Sequence, residues 1–143
     1  MEDRTLNILL VEDDEVDVMN VRRAFRKGNI KNPLYVATNG LEALEILRGG
    51  SHHFPEMPSE RRLIVLDLNM PKMGGIEFLQ VLRADPQLRA TPVVVLTTSN
   101  NDQDRLRAYN LNVSGYLLKP VTFATFVELM TTLNQYWALC EMA

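Results

Sequence analysis

Cysteine is nearly absent from this 143-residue chain, Cys140 being its only occurrence. No intrachain disulfide can form, and a metal cage of thiolates is excluded. Histidine is as scarce: His52 and His53 stand side by side. In a segment punctuated by Gly and Pro they read as solvated surface rather than as a metal or phosphorelay site. No apolar run approaches the roughly 20 residues of a membrane span, and the acidic start, Glu2-Asp3, is unlike a signal peptide. The expectation is a cytoplasmic protein without membrane attachment. Positive charge is not in excess either. Fifteen Lys and Arg against eighteen Asp and Glu leave a net charge of −3, and the basic residues are scattered. The electrostatic footprint of a direct nucleic-acid binder is missing.

What is present is enough apolar material for one core. Hydrophobic residues make up 46% of the chain, and its length suits a single domain, 1–143. Four apolar runs, Ile8–Val11, Leu63–Leu66, Val93–Leu96 and Tyr116–Leu118, and a more polar one at Leu34–Val36, read as five strands. Their hydrophobicity is continuous rather than alternating, which means both faces are covered, as helices on either side of a parallel sheet would do. Helical patterns lie between them. Val16, Met19, Val21 and Phe25 lead to Gly28; Leu41, Leu44 and Leu47 lead to Gly49-Gly50; Ile76, Leu79 and Leu82 end before Pro86; a charged stretch spans 102–111. A last helix and tail, 122–143, carries Phe123, Phe126, Met130, Leu133, Trp137 and Cys140 three or four apart. The segment 49–61 is a long loop before the third strand. Strands alternating with helices specify an α/β fold with a doubly wound, five-stranded parallel sheet.

In such a sheet ligands bind beyond the carboxyl ends of the strands. The residues there are Glu12-Asp13-Asp14, Asp67-Leu68-Asn69, Thr97-Thr98 and Lys119-Pro120. Carboxylates held together repel one another unless a cation neutralises them. Oxygen-only ligands select a hard ion, and Mg²⁺ fits best because it takes one or two carboxylates and leaves positions for phosphate oxygens. One carboxylate can then act as nucleophile toward phosphorus while a lysine stabilises the charge on the equatorial oxygens. Asp67 and Lys119 suit those roles.

With these residues in place the chain resembles, over essentially its whole length, the receiver domains of two-component response regulators. The resemblance implies a flavodoxin-like strand order 2-1-3-4-5 with five flanking helices, the last one extended. It identifies Glu12 and Asp13 as the acidic pair, Asp67 as phosphoacceptor, and Asn69 as the residue whose main-chain carbonyl joins the metal shell. Thr97 matches the switch hydroxyl, Tyr116 the switch aromatic, and Lys119-Pro120 a pair whose peptide bond is cis in the family. It further implies that Asp13 and Asp67 bind Mg²⁺ directly and Glu12 through water. The lysine would pair with Asp67 before phosphorylation and with the phosphoryl group after, when Thr97 moves and Tyr116 swings inward. Gly74 departs from the family, which often has Asp there. The longer 49–61 loop, the Leu-Thr-Thr-Ser at 96–99 and the Tyr136-Trp137 pair resemble stand-alone receivers that partner phytochrome-type sensor histidine kinases.

Two other classes compete. A phosphohydrolase of the haloacid-dehalogenase type also uses Asp, Thr, Lys and Mg²⁺, but wants a second Asp where Asn69 stands. A flavodoxin-like cofactor binder needs a phosphate-cradling loop after the first strand, where three acids would repel the phosphate. The expected activity is therefore that of a phosphoacceptor signalling module, not an enzyme, whose output is protein contact. Tyr136 and Trp137 extend past the length needed to cover the sheet, so the sequence predicts a homodimer through that tail.

Overall fold

A computed structural model describes residues 5–50, 54 and 56–142. His52 and His53 lie outside them. Five strands, β1 (Asn7–Val11), β2 (Leu34–Ala37), β3 (Arg62–Leu66), β4 (Val93–Thr97) and β5 (Gly115–Leu118), alternate with α1 (Glu15–Lys27), α2 (Gly40–Leu47), α3 (Gly75–Ala84), α4 (Asp102–Asn110) and α5 (Phe123–Leu139). All strand pairs are parallel, in the order β2-β1-β3-β4-β5.

The continuous apolar runs do what two-sided burial requires. Leu9, Val11, Ile64, Leu66, Val93 and Val95 face α2 and α3, meeting Leu44, Leu47, Phe78, Leu79 and Leu82. Ile8, Leu10, Leu63, Val65, Val94 and Leu96 face the other way, against Val21, Ala24 and Phe25 of α1 and Phe126 and Met130 of α5. Each central strand thus feeds two cores with alternate residues, because successive side chains leave a strand on opposite faces.

Helix ends follow local chemistry. The Asp14 side chain accepts from the amides of Val16 (2.8 Å) and Asp17 (3.3 Å), capping α1, and Gly28 closes it. Asn39 caps α2, while Glu42 reaches back to accept from the Thr38 amide and hydroxyl. Thr122 caps α5. The apolar positions of α1 divide unexpectedly: Val16 and Met19 are exposed, and the buried stripe runs through Val21, Ala24 and Phe25.

Two arginines fix the loops. Arg62 donates to the carbonyls of Pro58, Leu47 and Met57 at 2.6, 3.1 and 2.8 Å. The extended loop before β3 is therefore tied to the C-terminal end of α2. Arg83 likewise donates to the carbonyls of Leu111, Arg89, Thr91 and Asn112. Burial lowers the pKa of both guanidiniums from its ordinary value, yet arginine stays charged.

The tail of α5 corrects the expected dimer contacts. Trp137 is only 9% exposed and belongs to the core with Leu6, Ile8 and Leu63. The buried Arg61 donates to the Trp137 and Cys140 carbonyls. This ties the helix end to the start of β3 and folds the indole inward. Tyr136, edge-on to the Trp137 ring at 5.5 Å, stays 61% exposed, and Leu139 is 82% exposed.

Gly75 opens α3 where the chain leaves β3. A Cβ there would lie 2.6 Å from the Leu68 Cα and 2.7 Å from the Asp67 carbonyl oxygen. Both are backbone atoms and cannot rotate away. Gly75→Ala is expected to cost about 1–3 kcal/mol, read as a lowered midpoint of urea unfolding at unchanged slope.

Candidate functional site

The sheet order reverses at β1, whose neighbours are β2 and β3, and the carboxyl ends of β1 and β3 lie together there. Backbone hydrogen bonds carry the ladder one step past the strands. The Asp67 amide donates to the Val11 carbonyl (3.0 Å), the Glu12 amide to Ala37 (2.9 Å), and the Lys119 amide to Thr97 (2.9 Å). These bonds set where Glu12, Asp67 and Lys119 project. Carboxylate oxygens of Glu12, Asp13 and Asp67 lie within 4.8 Å of one another. Glu12 and Asp67 are buried, and Asp13 is exposed.

Two unit charges at that separation repel by about 3 kcal/mol at the effective dielectric near a protein surface. Lys119 relieves part of this. Its Nζ lies 2.5 Å from Glu12 Oε1, 2.7 Å from Asp17 Oδ2 and 3.7 Å from Asp67 Oδ2. The pKa of Glu12 is nonetheless pushed up to about 7, by burial first and by the nearby Asp67 charge, against the lowering pull of Lys119. The lysine moves the other way: its acidic neighbours outweigh burial and raise its pKa above the usual value.

One atom of this cluster is unpaired. Asp67 Oδ1 is buried and has no hydrogen-bond partner, an arrangement that costs free energy unless something else meets it. A lone oxygen beside two further carboxylates, with no sulfur or nitrogen donor in the group, is the donor set of a hard divalent cation. The residues present fit such an ion.

The remaining expected residues are accounted for. Thr97, at the end of β4, is fully buried, and its Oγ1 accepts from the Ser99 amide at 3.2 Å. Tyr116 is half-buried and packs on the core, its hydroxyl donating to the Ser99 carbonyl at 2.9 Å. The Ser99 hydroxyl donates to Asp104 at 2.7 Å, holding the loop against α4. Asn69 is exposed in the loop after β3. The expected cis bond before Pro120 is not found: no cis peptide occurs among the described residues. The Lys119 amide and its two close acids already place the ammonium. For an X-Pro bond trans is the lower isomer by about 0.5–1 kcal/mol.

Lys119 does form the expected ion pair with Asp67, at 3.7 Å, but Glu12 and Asp17 are closer partners that the expectation did not include. Asp17 lies past the acidic run at the end of β1, so the pattern of strand-end residues does not reach it. As an N-cap, Asp14 starts α1 and puts Asp17 within its first turn, beside the end of β1. The Asp followed by acidic residues in the first turn was the available signal.

Known proteins match along this whole frame. The family model described as "Response regulator receiver domain" matches residues 8–131. A probable methanogenesis regulatory protein, FilR2, of Methanothrix harundinacea is 38% identical over 133 residues, covering 91% of this chain and 82% of that protein. Response regulator Rcp1 of Synechocystis sp. is 35% identical over 130 residues, covering 91% and 87%; its Mn²⁺-bound crystal structure superposes with a TM-score of 0.82 at 33% identity, covering 96% and 99%. The phosphorylated cyanobacterial phytochrome response regulator RcpA superposes with a TM-score of 0.84 at 30% identity, covering 96% and 98%. Fold, acidic edge and these matches agree that the chain belongs to the response regulator receiver domain family, phosphoacceptor signalling modules that partner sensor histidine kinases rather than classical enzymes.

Proposed function

We propose that Asp67 is the phosphoacceptor and that its transfer reaction requires Mg²⁺ held by Asp13, Asp67, Glu12 and the Asn69 main-chain carbonyl. The observation that carries this reading is the buried Asp67 carboxylate, grouped with those of Glu12 and Asp13, whose Oδ1 has no hydrogen-bond partner while its Oδ2 lies 3.7 Å from Lys119. When bound, the ion offsets the negative charge of the carboxylates and of the phosphoryl oxygens. An oxygen of the Asp67 carboxylate attacks phosphorus as the bond from phosphorus to the donor's leaving group breaks, the leaving group departing with the bonding electron pair. Lys119 keeps its ammonium at the same edge, ready to pair with a phosphoryl oxygen.

The added charge of about −2 then acts on Thr97. Its hydroxyl accepts from the Ser99 amide, while the Ser99 carbonyl accepts from Tyr116. A single peptide segment therefore joins the two switch side chains: Thr97 turning toward the phosphoryl group gives up the Ser99 amide, and the loop that holds the Tyr116 hydroxyl is released. The face that changes is bordered by the exposed Leu106 and Tyr109 of α4 and Leu118 of β5. That face suits signalling by protein contact.

The likeness to Rcp1 and RcpA supports a phytochrome-type sensor histidine kinase as the phosphoryl donor. Among the described residues no helix is long and apolar enough to cross a membrane, and we place the reaction in the cytoplasm, as a single receiver domain over 1–143. The exposed Tyr136 and Leu139 support pairing with a second copy along the end of α5.

Incubation with acetyl phosphate and Mg²⁺ is expected to add one phosphoryl mass to the wild type by mass spectrometry and none to Asp67→Asn or to the wild type in excess chelator. Incorporation in Asp67→Asn moves the acceptor elsewhere. Thr97→Val is expected to keep the phosphoryl group while losing the chemical-shift changes at Ser99 and Tyr116 that accompany it. Tyr136→Ser is expected to shift the chain toward monomer in sedimentation at matched concentration, with its unfolding free energy within about 0.5 kcal/mol of wild type, as for an exposed position.

A further inference from the structure

Lys119 is anchored by an acid outside the group of carboxylates suited to the metal. Its ammonium has three N–H donors. Glu12 takes one at 2.5 Å and Asp17 another at 2.7 Å, while Asp67 stands beyond hydrogen-bond reach at 3.7 Å. Glu12 and Asp67 belong to the cluster that would share its charge with a cation; Asp17 does not. We propose that Asp17 is a positioning residue for phosphoryl transfer, keeping the Lys119 ammonium at the site when a divalent cation occupies the neighbouring carboxylates.

The need is electrostatic. A divalent ion close to an ammonium repels it and claims the negative charge that held it. Glu12 and Asp67, facing both cations, lose hold on the lysine as they gain the metal. Asp17 faces the lysine alone, so its countercharge is undivided. Its backbone is fixed for the task. Asp14 accepts from the amides of both Val16 and Asp17, and α1 is packed on α5 and the sheet through Val21, Ala24 and Phe25. The contact is also releasable. The side chains of Asp17 and Lys119 are 33% and 12% exposed, so water can replace the lysine at Asp17 when the ammonium turns to a phosphoryl oxygen. This role rests on Asp67 being the phosphoacceptor.

The test compares wild type, Asp17→Asn and Asp17→Glu as full chains. One arm records the ¹⁵N signal of the Lys119 ammonium, assigned by its loss in Lys119→Met, with and without Mg²⁺ and with no phosphoryl donor present. The other measures the rate of phosphorylation by acetyl phosphate at saturating Mg²⁺. In wild type the signal is expected to survive Mg²⁺. In Asp17→Asn it is expected to survive only without Mg²⁺, and the rate to fall about tenfold, the lower end of the loss found when a supporting partner of a metal-site group is removed. Asp17→Glu, which keeps the charge, is expected to restore both in part. An Asp17→Asn protein that keeps signal and rate overturns the proposal, as does a slowed protein whose ammonium signal is unmoved by Mg²⁺. A wild type that takes no phosphoryl group overturns the Asp67 reading instead, and the ammonium arm then decides the hold of Asp17 on Lys119 by itself.

Discussion

Carboxylates from Glu12, Asp17 and Asp67 gather around the ammonium of Lys119 at one edge of the sheet, with Asp13 beside Glu12 and Asp67, and the organisation of the molecule follows from keeping that arrangement in place. Left in water, these acids would separate. They are held because each stands just past a strand or within a capped helical turn. The free energy for this comes from elsewhere, from two apolar layers that bury nearly every residue of the three central strands. Those layers fix the strands, and the strands place the acids.

The difference between the centre of the sheet and its β5 edge bears on signalling. Strands β1 and β3, buried at every residue, form the part that holds the acids. The β5 end is thinner: its residues are half-buried or exposed, and α4 contributes only Ala108 to the core. Thr97, Ser99 and Tyr116 are joined by hydrogen bonds on this thinner side, where the proposed switch acts. Local stability is lowest where movement carries information.

Buried arginines show how the fold accommodates its long connections. The loop before β3 departs from the short links common in α/β units, yet Arg62 spans its base with donors to three main-chain carbonyls, and Arg61 holds the end of α5 through the Trp137 and Cys140 carbonyls. A guanidinium suits this work because its planar donors stay charged at any pH the protein meets. Such anchors let a loop grow with little effect on the acidic edge.

Much of this was legible in the amino-acid order. Ile8–Val11, Leu63–Leu66 and Val93–Leu96 are apolar at every position, and that pattern has one common solution, a parallel sheet covered on both sides; Glu12, Asp67 and Lys119 then fall at strand ends by counting alone. What the order could not express is distance between residues far apart in the chain. Trp137 looked surplus to the core until Arg61 and Leu6 closed around the end of α5. Asp17 carries no mark of its own in the sequence, and only the fold, with the Asp14 cap starting α1, brings it to a lysine more than 100 residues away. Gly75 is informative only once the backbone of Leu68 is known to pass within 2.6 Å of its missing Cβ. Hydrophobic periodicity is a local property and dictates the elements and their layering. Which charge meets which, and which aromatic is buried, depends on the packing of whole elements, which exists only in three dimensions.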